Sequence, residues 1–98
     1  MKKHYVLTQK MIDKAVKNYK PSDTCATCVI TVCLNTTHKK KAGTFSVSWI
    51  QARNMASNKY ALLPQAVKDI IKLFDQKRYS EIKPTEFDLN WELQNDSL

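Results

Sequence analysis

The sequence contains little glycine and proline, with one and three residues respectively among 98, which excludes a flexible linker or a low-complexity chain. Its single glycine, Gly43, also leaves no glycine-rich loop of the kind that binds phosphates in nucleotide-binding enzymes. Apolar residues make up 43% of the chain, which is enough to bury a hydrophobic core. A chain of this length predicts a single domain over residues 1–98.

Long apolar runs are missing as well. The longest uncharged apolar stretch, Cys25 to Leu34, is about half of the ~20 residues that a membrane-spanning helix needs. The lysines at positions 2 and 3 are not followed by the hydrophobic region of a signal peptide. Three cysteines is an odd and small number for a disulfide scaffold, so free thiols in a reducing compartment are favoured. We therefore expect a cytoplasmic protein without a membrane partner.

Positive charge is concentrated in one part of the chain. Residues 1–60 contain eleven basic and two acidic residues, a net charge of +9, whereas residues 61–98 contain five basic and seven acidic residues, a net charge of −2. Such an asymmetry steers a protein toward polyanions or acidic surfaces. It indicates a partner for the basic half, and it says nothing about the fold.

Local patterns predict an α+β fold of order β-α-α-β-β-α-β, with the helices packed on one face of a small, mainly antiparallel sheet. Thr8 fits the N-cap of the first predicted helix, which is amphipathic. Pro64 fits the first position of the last predicted helix, whose apolar residues recur at regular helical spacing. Residues 44–50 and 85–93 alternate between apolar and polar side chains, as half-buried strands do, and the outward side of the second strand is acidic. The predicted core includes Phe45, Val47, Trp49, Val67, Ile70, Phe74, Phe87 and Leu89.

Three cysteines occur in the stretch DTCATCVITVCL, and three interpretations of them are open. Cys25, Cys28, Cys33 and His38 have the number and spacing of ligands for a zinc site, and Cys25 and Cys28 alone could form a redox pair. The residues between them are apolar or β-branched rather than the glycines and polar turns of a compact metal-binding loop, which favours buried thiols and no cofactor. Helical spacing of the apolar positions predicts a helix here, followed by a polar loop over residues 35–43.

No catalytic arrangement of side chains is recognisable. His4 and His38 both lie in polar contexts and are expected at the surface, and the carboxylates have the spacing of solvated faces. We therefore predict a protein that is not an enzyme.

Basic residues form two groups that could contact phosphates or an acidic partner. The first group lies on the outer side of the first predicted helix, and the second surrounds the polar loop. The candidate binding residues are Lys10, Lys14 and Lys17 in the first group, and Lys39, Lys40, Lys41, Arg53 and Lys59 in the second. A solvated, solubilising surface is the plain alternative.

The order of short motifs resembles a type of small phage or prophage accessory protein. Its shared features are a C-x-x-C helix start, a helix opened by Leu-Pro that ends in Phe-Asp, and a final P-x-x-F-x-L strand, and together they span nearly the whole chain. The matching residues are Cys25, Cys28, Ile30, Leu34, Leu63, Pro64, Ile71, Phe74, Asp75, Pro84, Phe87 and Leu89. Val29 departs from the type, which has proline there, and Cys33 replaces a small residue.

The resemblance implies an accessory protein that acts in the cytoplasm of a host cell. Such proteins often bind a host machine and block it, and they include inhibitors of CRISPR complexes and other defence systems. The leading hypothesis is therefore a monomer or homodimer that binds and blocks a host nucleoprotein or defence complex through its basic half. The alternatives are direct binding of DNA or RNA, and a regulatory module stabilised by zinc or by thiol chemistry.

Overall fold

The computed structural model describes residues 1–19, 28–41 and 44–93, and the predicted α+β class is confirmed. The elements in chain order are β1 (Lys2–Leu7), α1 (Gln9–Asn18), α2 (Val29–His38), β2 (Phe45–Val47), β3 (Gln51–Asn54), β4 (Lys59–Leu62), α3 (Gln65–Asp75), a 3-10 helix (Tyr79–Glu81), β5 (Thr85–Asn90) and β6 (Glu92–Leu93). No helix within these residues is long and apolar enough to cross a lipid bilayer.

The strands form two antiparallel sheets, where the sequence predicted one. The first sheet pairs β1 with β5, and the second has the order β2-β3-β4-β6. The predicted strand over residues 85–93 is divided at Trp91, so that β5 belongs to the first sheet and β6 to the second. Because the apolar and polar alternation continues through Trp91, the sequence pattern does not reveal this transfer between sheets.

Opposite charges face each other across the first sheet. His4 lies opposite Asp88, and its Nδ1 and Nε2 atoms are 2.7 Å and 2.8 Å from carboxylate oxygens of Asp88 and Glu86. The ammonium group of Lys2 is 3.8 Å from Asp88. The acidic side of β5 therefore meets basic residues of β1, and such cross-strand pairs favour this register over a shifted one.

The first helix agrees with its sequence pattern. The side chain of Thr8 accepts a hydrogen bond from the backbone N–H of Met11 at 3.2 Å, so the predicted N-cap is confirmed. Ile12 and Ala15 are buried, while the polar side of the helix is exposed to solvent.

Helix α2 is the central element of the fold, since it packs against α1, α3, β1 and β2. The predicted helix is confirmed over Val29–His38, but the expected loop at residues 35–38 is wrong, because the helix continues to His38. Asn35, Thr36 and Thr37 have low helix propensity and suggest a loop, and the tertiary packing of α2 overrides that preference.

Helix α3 begins at Gln65 with Pro64 as its N-cap, one position later than predicted, and it buries Val67, Ile70, Ile71 and Phe74. The sequence suggested that this helix packs on a sheet. Its main neighbours are instead α2 and the 3-10 helix.

The predicted core is confirmed except for Trp49, whose side chain is 54% exposed. Strand β2 ends at Val47, and a tight connection follows in which the Ser48 N–H donates to the Gln51 carbonyl at 2.9 Å. This turn interrupts the alternation before it reaches Trp49. Strands β3 and β4 then form a hairpin whose turn covers residues 55–58.

Candidate functional site

A surface cavity of about 560 Å³ lies between the end of α2 and the turn of the β3–β4 hairpin. We call it the lysine cavity. Its lining residues are Lys39, Lys40, Lys41, Thr44, Asn54, Ala56 and Ser57. Three lysines and several neutral residues thus line the cavity, and none of the described lining residues is acidic.

Backbone geometry at the end of α2 positions the three lysines. Lys39 adopts the left-handed conformation with φ of 55°, and the N–H of Lys40 donates to the carbonyl of Asn35 at 2.9 Å. This is a Schellman-type helix end, in which the chain reverses direction after the last helical turn. Basic side chains at this end also face the partial negative charge of the helix dipole, which favours their location there.

Hydrogen bonds within the hairpin position the opposite side of the cavity. The N–H of Met55 donates to the carbonyl of Thr44 at 2.8 Å, which connects the hairpin turn to the residue before β2. The side-chain oxygen of Asn54 accepts from the N–H groups of Ala56 and Ser57 at 3.0 Å and 3.2 Å. The hairpin turn is therefore held beside the lysine run.

The described residues do not neutralise the positive charge at the cavity. Lys39, Lys40 and Lys41 are exposed and form no ion pair with any residue that the structure describes. Elsewhere on the surface, Arg78 is paired with Glu81. Free ammonium groups beside hydroxyl and amide groups suit the oxygen atoms of a phosphate group.

Arg53 and Lys59 flank the lysine cavity without lining it. Arg53 lies opposite Ser46 and Tyr60 in the second sheet, and Lys59 lies opposite Asn54. The guanidinium Nη2 of Arg53 is 3.5 Å from the side-chain oxygen of Asn58, while its Nε is buried without a hydrogen-bond partner in the described chain. The structure therefore places Arg53 and Lys59 on the hairpin beside the lysine run but outside the lining of the cavity.

The lysines of α1 belong to a different surface. Lys10, Lys14 and Lys17 are exposed at positions i, i+4 and i+7, and none of them lines the lysine cavity. Lys17 lines a separate cavity of about 350 Å³ together with Asp13 and Tyr79. The structure thus divides the predicted binding residues into two basic regions.

The described candidate zinc ligands, Cys28, Cys33 and His38, do not form a metal site with one another. Cys25 lies outside the described residues. Cys28 Sγ is 3.3 Å from the Thr31 hydroxyl, and Cys33 Sγ is 3.8 Å from the Val6 carbonyl oxygen. No group of three or more His, Cys, Asp or Glu side chains among residues 1–19, 28–41 and 44–93 could hold a metal ion.

Burial determines the chemistry of the two described thiols. It raises the pKa of the Cys28 thiol above its usual range, and it raises the pKa of Cys33 to about 11. Both side chains are free and buried, as the interpretation of this segment as core predicted. A thiol with a raised pKa has little thiolate at neutral pH, so neither is an activated nucleophile.

His38 is the residue that the sequence placed wrongly. It was expected in a surface loop, whereas it ends α2 and packs on the rings of Phe45 and Tyr5, at centroid distances of 4.9 Å and 5.5 Å. Burial lowers its pKa, and the charges of Lys3 and Lys40 act in the same direction. Helical spacing could have predicted this location, because His38 lies four residues after Leu34 and eight after Ile30, on the same side of a helix as these buried residues.

A hydrogen-bonded chain of three side chains holds His38 in place. The Trp91 indole N–H donates to the Tyr5 hydroxyl at 2.7 Å, and the Tyr5 oxygen is 2.6 Å from His38 Nε2. The indole can only donate, so the Tyr5 oxygen accepts that bond, while the donor between Tyr5 and His38 depends on the imidazole tautomer. Since His38 immediately precedes Lys39, this chain anchors the start of the lysine run to the core.

Comparison of the chain with protein-family models, with curated proteins and with solved structures found no match. Its function is therefore inferred from the lysine cavity and the surfaces around it.

Proposed function

We propose that this protein is a non-enzymatic binding protein that holds nucleic acid by its phosphate groups at the lysine cavity. The observation that carries this proposal is that Lys39, Lys40 and Lys41 line one cavity together with the β3–β4 turn, with no acidic residue among its described lining residues. Lysine ammonium, hydroxyl and amide groups are the common protein partners of phosphate oxygens. The net charge of +7 further favours association with a polyanion.

The side chains most often used in catalysis have other roles in this fold. His38 is hydrogen-bonded to Tyr5 beside the aromatic core, and His4 lies between two carboxylates. The thiols of Cys28 and Cys33 are buried. These positions support a binding function rather than a catalytic one.

Salt dependence of binding tests the proposal. We expect a labelled DNA or RNA oligonucleotide to bind, with an affinity that falls steeply as salt rises, because each neutralised phosphate releases counterions. The double variant Lys40→Gln/Lys41→Gln should reduce the slope of log affinity against log salt by about 1.5 to 2, which corresponds to two lost phosphate contacts.

A matched control separates the cavity from general charge. The double variant Lys72→Gln/Lys83→Gln removes the same charge from two exposed lysines that do not line the cavity. It should leave the slope nearly unchanged. Equal losses in both double variants, or no binding by the unmodified protein, would contradict the proposal.

A second candidate function is the blocking of a host nucleoprotein or defence complex, as the resemblance to phage accessory proteins implies. The exposed stripe of Lys10, Lys14 and Lys17 favours it, because this stripe lies on a helix apart from the lysine cavity and could meet an acidic protein surface. This function predicts a stable host protein partner and weak affinity for free nucleic acid. Lys10→Gln/Lys14→Gln/Lys17→Gln should then weaken that complex, while Lys40→Gln/Lys41→Gln should not.

A further inference from the structure

One face of the second sheet has the features of a stacking surface. The alternation of β3 and β4 directs Ala52 and Ala61 into the core, so the opposite face presents Ser46, Gln51, Arg53, Tyr60 and Leu62. Glu92 of β6 lies opposite Tyr60 on the same face, and its carboxylate accepts a hydrogen bond from the Tyr60 hydroxyl at 3.4 Å. We call this the outer face. Arg53 lies between Ser46 and Tyr60 in one cross-strand row, and Gln51 pairs with Leu62 in the next row, about 7 Å away.

Exposed apolar side chains continue this face toward the β2–β3 connection. Leu62 is 68% exposed, and Ile50 and Trp49 in the connection are 62% and 54% exposed. The N–H of Leu63 donates to the carbonyl of Ile50 at 3.0 Å, so the connection lies directly beside the end of β4. Three exposed apolar residues therefore occur in neighbouring segments at this end of the sheet.

The aromatic side chains provide an independent observation. Seven of the nine lie in ring contacts with centroids 4.9–6.5 Å apart, and only Trp49 and Tyr60 do not, although all nine belong to the described residues. Both of these rings belong to the outer face or its end. Arg53, opposite Tyr60, adds a guanidinium group that forms no ion pair with the described residues.

We propose that the outer face binds unpaired bases of single-stranded nucleic acid, with Tyr60 and Trp49 as stacking residues and Arg53 as a contact to base or phosphate. This inference rests on the proposed function, because the lysine cavity supplies the neighbouring phosphate contacts. The two sites are neighbours on opposite faces of β3, since Asn54 lines the cavity and directly follows Arg53 in that strand. Aromatic rings and the arginine plane stack on unpaired bases, whereas the bases of a duplex are already stacked on one another.

Three ligands test this assignment: a thymidine oligonucleotide of about ten residues, an abasic strand of the same length and charge, and a duplex of the same length, which carries about twice the charge. We expect the unmodified protein to bind the thymidine strand about tenfold or more tightly than the abasic strand, and to prefer it over the duplex. We also expect the thymidine strand, but not the abasic strand, to quench tryptophan fluorescence. This readout needs no variant, because Trp49 is exposed and Trp91 is buried.

Substitutions then assign the preference to the outer face. Trp49→Ala and Tyr60→Ala should each weaken binding of the thymidine strand about tenfold and leave binding of the abasic strand unchanged. Val6→Ala is the matched control, since Val6 is an exposed apolar residue, 45% accessible, on the first sheet. It should change neither affinity.

The failures of the two proposals are distinguishable. Equal binding of the thymidine and abasic strands, with both weakened by Lys40→Gln/Lys41→Gln, overturns the stacking inference and leaves phosphate binding intact. No binding of either strand overturns both proposals. A third outcome is that the unmodified protein shows no base preference and that Trp49→Ala loses self-association or a protein complex. This outcome would show that a protein covers this face, and it would also overturn the inference.

Discussion

The indole N–H of Trp91 donates a hydrogen bond of 2.7 Å to the hydroxyl of Tyr5, across 86 positions of the chain. Trp91 lies where the chain passes from the first sheet to the second, and Tyr5 lies in β1. Because the Tyr5 hydroxyl also bonds His38, one phenolic oxygen joins β1, the end of α2 and the junction of the two sheets. Because His38 immediately precedes Lys39, these bonds connect the start of the lysine run to the core.

Removing that oxygen should destabilise the fold. Tyr5→Phe leaves the Trp91 indole N–H and His38 Nε2 without their partner, and unsatisfied buried polar groups cost about 1–3 kcal/mol. We expect the free energy of unfolding in urea to fall by that amount. Tyr60→Phe is the control, because the Tyr60 hydroxyl makes only a long, solvent-exposed hydrogen bond of 3.4 Å to Glu92, and it should change stability by less than about 0.5 kcal/mol. Equal stability of Tyr5→Phe and the unmodified protein would contradict this role of the hydroxyl.

Stability should fall in weak acid because of His38. Its pKa is lowered in the folded protein by burial first, and then by the charges of Lys3 and Lys40, so the unfolded chain binds a proton more readily. The contribution is fully present above the unfolded value of about 6.5 and is lost as pH falls below it toward the folded pKa. Urea unfolding between about pH 5 and pH 8 should show this slope. In His38→Gln the slope should be reduced, and an unchanged slope in that variant would exclude His38 as its source.

His4 should behave in the opposite direction. The side-chain hydrogen bonds to Glu86 and Asp88 raise its pKa in the folded protein, because both ring nitrogens of the charged imidazolium can donate to a carboxylate. Its stabilising effect is present below about pH 6.5 and is lost as pH rises through the folded pKa. A titration followed by proton NMR should show one histidine titrating above 6.5 and one below it. His4→Gln should remove the higher of the two transitions, and loss of the lower one instead would reverse the assignment.

Two lysines in the left-handed conformation form a matched pair, which separates the effect of backbone strain on stability from the effect of a lysine side chain on nucleic-acid binding. Lys39 and Lys77 have φ of 55° and 60°, and each lies at a helix end with a Schellman-type bond, Lys40 N–H to Asn35 and Arg78 N–H to Leu73. Glycine has no Cβ that crowds the backbone there, so Lys39→Gly and Lys77→Gly should each raise the free energy of unfolding by about 1 kcal/mol. Only Lys39→Gly should weaken the binding of nucleic acid, since Lys77 does not line the lysine cavity. Equal affinities of the two variants for an oligonucleotide would argue against the lysine cavity.

The buried thiols should react only when the chain unfolds. In a Cys25→Ser variant, the remaining Cys28 and Cys33 are both buried with raised pKa values, so little accessible thiolate is present at neutral pH. We expect a disulfide reagent to modify them at the rate of unfolding, and rapidly in urea. Fast modification of the native variant would contradict their burial and would favour the redox interpretation.

The parts of the fold that the sequence predicted are those in which local pattern and tertiary packing agree. Thr8 is a suitable N-cap before a helical apolar pattern, and the structure uses it as one. At Asn35 and Thr36 the local preference is for a loop, and the packing of α2 against four other elements outweighs it. At Trp49 the strand pattern continues in the sequence, but the tight connection between Ser48 and Gln51 has already ended the strand.

The candidate site was predictable to a similar extent. The run from Lys39 to Lys41 is visible in the sequence, and so is its proximity to Arg53 and Lys59 on the next hairpin. The cavity itself depends on the bond between Met55 and Thr44, which no local pattern reveals. The pairing of Arg53 with Tyr60 likewise depends on strand register, which emerges only when the hairpin forms.

The pairing of β1 with β5 has a consequence for the order of events during synthesis. Lys2 lies opposite Asn90, so β1 leaves the ribosome long before its pairing strand exists, and until then its backbone groups have no partner in that sheet. Contacts between residues this distant in the chain form slowly and leave the early segments exposed to association with other chains. Completion of the first sheet is therefore expected to be a late step of folding on the ribosome.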